Sequence, residues 1–234
     1  MTTNYIGKPE NRVDGKLKVT GQAKYAAEHN APDLAYGNVV SSAVAKGKIT
    51  KIDTEKALSV EGVLQIFTHE NRPRTAWFDR SWRDQIAPPG SPFRPLYDEN
   101  VVYSMQPIAL VVAEDFETAR FAASLVTAEY ETESHVTDLN ERREEAYEPK
   151  KRSGIPRPPS PRGDAEAAFD NAAAKIEVEH YHPAEHHNPM EMHASTVIYN
   201  EDESLTIYDK TQGTQNSQGY VCGIFGLSTD KVRV

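Results

Sequence analysis

His180, His182, His186, His187 and His193, five of the chain's eight histidines, crowd into one stretch, and with Glu191 and Gln212 they are the side chains best equipped for chemistry. Clustered imidazoles suggest a metal centre. The spacing argues against one, because no Cys-x-x-Cys or His-Glu-x-x-His pattern accompanies them and a closed site also needs oriented supporting partners. The alternative is that these histidines sit at polar strand ends and loops, bonding backbone and solvent. Glu191, between Met190 and Met192, has two readings: a general base raised by apolar neighbours, or a structural carboxylate that bonds backbone amides. Gln212 closes the strand pattern that ends Asp209-Lys210-Thr211-Gln212, at the point where strand gives way to loop and a polar amide is fixed on a rigid support. The donor-rich run Gly213-Thr214-Gln215-Asn216-Ser217-Gln218-Gly219 could face a phosphate or polar cofactor, or could simply be a solvated helix start.

The elements that must position these groups are legible from periodicity. Alternation through Val197, Tyr199, Leu205 and Ile207 brackets the polar turn Asn200-Glu201-Asp202-Glu203, a hairpin pattern. The amphipathic stretch after Gln212 predicts a helix with Cys222 on its apolar face. Residues 175–181 alternate cleanly and predict a strand, preceded by a helix over 165–174 capped by Asp164.

Upstream, fair alternation over 17–27 and better alternation over 36–45 predict extended segments, the second ended by Gly47. Extended chain follows at 49–52, then a short helix to Leu58 capped by Asp53 or Thr54, then Gly62 and a strand over 63–67. Strands are predicted again at 101–103, 108–112 and around Ala128 and Tyr130. Between the last two lies a helix at 116–126, capped by Asp115, with Phe116, Ala119, Ala122, Ala123 and Val126 as its buried stripe. The proline-rich segment 69–99, which carries Trp77, Phe78, Trp82 and Phe93, reads as an ordered excursion loop, a lid or contact surface. Acidic, basic and proline-rich blocks over 132–163 mark a linker. The pattern describes an α+β protein of two units.

Composition narrows the function. A net charge of -9 and a pI near 5.4 argue against nucleic acid as the main partner. Cys222 is the only cysteine, so no internal disulfide forms and no thiolate cluster can be built from this chain. Neither a hydrophobic signal region nor an apolar run of membrane-spanning length is present, and a cytoplasmic protein is expected, with export carried on a partner subunit left open. Phosphate-loop, nucleophile-elbow and dinucleotide glycine motifs are missing, which leaves kinase, hydrolase and Rossmann readings without support.

Several stretches, in order, resemble the large molybdopterin-binding subunit of the xanthine dehydrogenase and aldehyde oxidase family, in particular the bacterial aldehyde-oxidoreductase type. They are Arg12-Val13-Asp14-Gly15-Lys16-Leu17-Lys18-Val19-Thr20-Gly21-Gln22-Ala23-Lys24-Tyr25, Gln106-Pro107-Ile108-Ala109-Leu110-Val111-Val112-Ala113-Glu114, Ala128-Glu129-Tyr130, Gly163-Asp164, Met190-Glu191-Met192-His193, Thr211-Gln212 and Val232-Arg233-Val234. The resemblance implies an extended arm over 1–15, an α/β-hammerhead domain over 16–133, the proline-rich linker over 134–162, and the beginning of the first molybdopterin-binding domain over 163–234. It implies a molybdenum hydroxylase that oxidises an aldehyde or a purine-like N-heterocycle with oxygen taken from water.

The cofactors implied are molybdopterin in the complete subunit, with iron-sulfur clusters and FAD on partner subunits or domains; a homo-oligomer is also open. Gln212 matches the glutamine whose amide lies near the molybdenum ligands without being a direct protein ligand. Met190-Glu191-Met192 departs from the commoner Met-Glu-Pro. The family's glycine-rich Gly-Gly-Gly-Phe-Gly loop and its catalytic glutamate lie beyond the segment matching Val234, so no catalytic residue is expected here. The chain alone is expected to be inactive. The alternative is a split subunit or noncatalytic scaffold that docks through the 69–99 loop and the N-terminal arm.

Overall fold

The computed structural model describes residues 6–73, 75, 95–147 and 162–234. The aromatic centre of the predicted excursion loop and residues 148–161 of the linker therefore lie outside the described residues. Two antiparallel three-stranded sheets form the first unit. One has the order β1-β5-β3, from β1 (Tyr36–Ser41), β3 (Val63–Thr68) and β5 (Pro107–Ala113). The other has the order β4-β2-β6, from β2 (Gly47–Asp53), β4 (Asn100–Val101) and β6 (Thr127–Thr132).

β5 is central because its side chains are apolar on both faces: Ile108, Ala109, Val111 and Ala113 are all buried. α3 (Phe116–Leu125) lies against it through Ala119 and Ala122, whose small side chains let the helix approach the sheet closely. Asp115 starts that helix by accepting a hydrogen bond from the Thr118 amide at 2.8 Å. Of the predicted stripe, Ala119, Ala122 and Val126 are buried, whereas Phe116 is exposed at the first helical position, before the helix turns onto the sheet. The short α2 (Glu55–Leu58) adds Ala57 to the same core, and Asp53 rather than Thr54 supplies the side-chain acceptor at its start. A second cluster, Ile49, Val101 and Ile108, shares Val40 and Ile52 with the first, so the two sheets enclose one continuous core.

Gly47 begins β2 rather than ending the strand before it. Its φ of +149° and its contact with β6 leave no space for a side chain: a Cβ would stand 2.2 Å from the Glu131 carbonyl oxygen.

The third sheet belongs to the C-terminal part. β7 (Ser195–Tyr199) and β8 (Leu205–Asp209) form the predicted hairpin. After β8 the chain crosses through α5 (Thr214–Phe225) and returns as β9 (Val232–Arg233), parallel to β8. Ile207, Cys222 and Val232 form its core, which places Cys222 on the buried face of α5.

Three local expectations are corrected. Residues 17–27 hold the end of α1 (Gly15–Val19) and a 3-10 turn at Ala26–Glu28, because no sheet edge is offered to their weak alternation. The helix after Asp164 is α4 (Ala165–Asp170), ending at Asn171, whose side chain turns back to the Ala167 carbonyl. Residues 175–181 form no strand, and all are exposed. Among the described residues no helix is long and apolar enough to cross a membrane.

Candidate functional site

The passage from β8 into α5 is braced by side chains rather than by backbone pairing. Asp209, the last residue of β8, accepts from the Ser195 hydroxyl at 2.5 Å and from the Ser217 hydroxyl at 3.2 Å, which ties β7, β8 and α5 together at one corner. Ser217 also lies 2.9 Å from Thr211 Oγ1, and Thr211 Oγ1 accepts from the Gly213 amide at 3.1 Å. Gln212 is the residue enclosed by this bracing. Its backbone is held from both sides while its side chain stays exposed.

Gln212 lines a pocket of about 380 Å³ with Thr211, Gly213, Thr214, Gln215 and Asn216. The helix start beside it is rich in donors. Gly213 occupies the N-cap position and, having no side chain, leaves the first-turn amides of α5 without a side-chain cap. No acidic residue stands in that turn, although the Asp209 carboxylate meets the start of the helix from β8 through Ser217. A neighbouring pocket of about 270 Å³ shares Thr214 and Gln215 and adds Gln218, Val232, Arg233 and Val234. Gln218 fixes that wall by donating to the Thr229 carbonyl at 3.0 Å and to the Val232 carbonyl at 2.5 Å. The assembled surface therefore offers amide and hydroxyl donors and one guanidinium, a donor set suited to an anionic, oxygen-rich group.

The other candidates raised by the sequence are placed differently. Glu191 is not part of this pocket: its carboxylate accepts a 2.9 Å hydrogen bond from the Ala26 amide, in the 3-10 turn that precedes the first unit's sheets. This contact supports Glu191 as a backbone-bonding carboxylate, though the amide it bonds is remote in sequence. His180, His182, His186 and His187 lie on exposed chain without regular structure, and His193 Nδ1 is 3.3 Å from Lys210 Nζ. Among the described residues no three His, Cys, Asp or Glu side chains come together as metal ligands.

The residues that sequence reasoning missed are those opposite Glu191. Thr196, buried on β7, donates its hydroxyl to the Ala26 carbonyl at 2.8 Å. His29 stacks on Tyr208 of β8 with ring centroids 3.6 Å apart and planes 5° from parallel. The two contacts join residues 170 and 179 positions apart, and no local spacing signals them.

Comparison with known proteins adds two family models. Residues 20–134 match the one described as aldehyde oxidase and xanthine dehydrogenase, a/b hammerhead domain, and residues 147–234 match the molybdopterin cofactor-binding domain. The aldehyde oxidoreductase molybdenum-binding subunit PaoC of Escherichia coli is 36% identical over 209 residues, covering 88% of this chain and 26% of that protein. The xanthine dehydrogenase molybdenum-binding subunit of Escherichia coli O157:H7 is 30% identical over 211 residues, covering 86% of this chain and 27% of that protein. The solved aldehyde oxidoreductase from Desulfovibrio gigas superimposes with a TM-score of 0.71 at 22% identity, covering 94% of this chain and 25% of that one, a likeness of fold. The chain thus spans about a quarter of the length of these relatives.

Proposed function

The chain belongs to the aldehyde oxidase and xanthine dehydrogenase family, and on that premise we propose that it forms the hammerhead domain and the first part of the cofactor-binding domain of a molybdenum hydroxylase subunit. In this reading 16–133 is the hammerhead, 134–162 the linker and 163–234 the opening of the cofactor-binding domain. The observation that supports it is the exposed Gln212, which lines a pocket with Thr211, Gly213, Thr214, Gln215 and Asn216 beside the Asp209–Ser217–Thr211 hydrogen bonds.

When bound, molybdopterin supplies the redox chemistry: hydroxylation of an aldehyde or N-heterocycle at carbon with oxygen from water, the two electrons leaving through iron-sulfur and FAD partners. The chain's own residues bind and orient. Gln212 would present its side-chain amide to the cofactor's oxygens, where a hydrogen-bond donor would stabilise negative charge. The first-turn amides of α5, which no side chain caps, and the Arg233 guanidinium would offer donors to the anionic part of the cofactor. Residues 20–234 then act together with the rest of such a subunit, in a cytoplasmic complex with iron-sulfur and FAD subunits.

Gln212→Ala in the complete subunit tests this. The exposed side chain makes no contact that the fold needs, so the thermal midpoint is expected to stay unchanged while molybdenum retention or activity falls about 10- to 100-fold. Full molybdenum content with unaltered turnover would remove Gln212 from the site.

A further inference from the structure

Residues 175–181 read Lys-Ile-Glu-Val-Glu-His-Tyr, with Ile176, Val178 and His180 on one side and Lys175, Glu177, Glu179 and Tyr181 on the other. Such alternation with β-branched residues belongs to a half-buried strand. Among the described residues nothing satisfies it: Ile176 is 84% exposed, Val178 66% and Tyr181 83%. No backbone hydrogen bond reaches 175–181 among the described residues. The exposure is continuous. Phe169 before the segment and Met190 and Met192 after it are exposed too, although β7 begins only three residues beyond Met192 and the sheet it joins has its own buried core.

We propose that residues 175–181 are a strand of the cofactor-binding domain whose pairing partner is a strand from the part of the subunit that the relatives possess beyond this chain's match. This rests on the cofactor-domain reading above. The segment lies inside the match to that domain, and about three quarters of each relative's length is left over to supply the missing strand. The partner's chemistry follows from the segment. Opposite Ile176 and Val178 it carries apolar, preferably β-branched residues, and opposite Glu177 and Glu179 it carries Lys or Arg. Glu179 already draws a cation of its own chain, Arg143, to 3.6 Å.

A second copy of this chain fits poorly. Antiparallel self-pairing centred on Val178 sets Glu177 against Glu179, and centred on Glu177 it sets that carboxylate against itself.

The test mixes the 234-residue chain with the Escherichia coli PaoC polypeptide from which the region matching this chain has been removed. Association, hydrogen exchange at 175–181 and molybdenum content are read together. Pairing predicts a complex in which the amides of the segment slow at least about tenfold, a protection of the size that stable backbone pairing brings. Val178→Pro should abolish that complex and Val178→Thr should keep it, with both variants retaining the parent's circular dichroism and melting midpoint because the segment is unpacked here. A complex with protected amides but no molybdenum upholds the pairing and removes the cofactor reading. A complex that holds molybdenum while 175–181 exchanges freely does the reverse. Failure to associate at micromolar concentrations, or protection arising from dimers of this chain alone, overturns the pairing.

Discussion

Glu191 and Ala26 meet across the molecule: the carboxylate oxygen lies 2.9 Å from the amide nitrogen and secures the 3-10 turn Ala26–Glu28 to the start of the C-terminal sheet. Thr196 completes the clasp by donating to the carbonyl of the same residue at 2.8 Å. One peptide residue is thus held at both its N–H and its C=O by side chains of the other unit, and the His29–Tyr208 stack seats the chain immediately after it. The clasp joins the segment leading into the hammerhead sheets to the sheet that carries Gln212.

Glu191→Ala is expected to lower the urea unfolding free energy by about 1 kcal/mol, the ordinary net value of one hydrogen bond. Exchange of the Ala26 amide should accelerate several-fold, with Glu191→Gln intermediate because it keeps an acceptor oxygen. Unchanged Ala26 exchange in the alanine variant would show that the clasp does not form in solution.

Gly47→Ala should be far more costly than its size suggests. The new Cβ would meet the Glu131 carbonyl oxygen, a backbone atom fixed in the β2–β6 ladder, at a φ that L-residues avoid. A loss of about 2–4 kcal/mol is expected from equilibrium unfolding. Gly21→Ala is the control: its φ is also positive, at +69°, but nothing lies within 4 Å of the added methyl, so about 1 kcal/mol is expected.

Gln106 joins β4 to the start of β5. Its buried side chain accepts from the Val102 amide at 2.9 Å and donates to the Asn100 carbonyl at 2.7 Å. Gln106→Leu keeps the volume and strands both backbone groups, for an expected cost of about 2–3 kcal/mol, measured by the shift in urea midpoint. A neutral outcome would mean that water reaches both groups.

The Cys222 thiol is pushed above its usual range by burial and by the nearby Asp230 carboxylate. An alkylating agent at pH 8 is therefore expected to label the folded chain many-fold more slowly than the chain in urea. The sign for stability follows. With the folded value raised, the thiol's contribution is complete below the unfolded value of about 8.5 and is lost as pH climbs through the folded value. Cys222→Ala should flatten the alkaline fall in stability.

Much of the local architecture was legible because its causes are local. Asp115 and Asp164 announced two helix starts through their capping oxygens, and the alternation around Asn200 announced the β7–β8 hairpin. The amphipathic run after Gln212 put Cys222 on the inner face of α5. Gln212 was read as the end of a strand, but β8 stops at Asp209 and Gln212 lies on the loop before α5, where it lines a pocket with its neighbours.

Other features depend on partners that no nearby residue reveals. Gly47 looked like the end of one strand because glycine interrupts alternation, yet its role comes from the approach of β6, some 85 residues on. Residues 175–181 carry the pattern of a strand and form none, since a strand's hydrogen bonds must be made by another segment.

The family, the α+β class and the helix caps were determined by the order of residues, because capping, alternation and motif spacing act over a few positions. The order of strands in each sheet, the clasp of Ala26 by Glu191 and Thr196, and the Asp209–Ser217–Thr211 bracing around Gln212 were decided by folding in three dimensions. Each depends on a donor finding an acceptor on a different element, often more than a hundred residues away, and local periodicity carries no record of that choice.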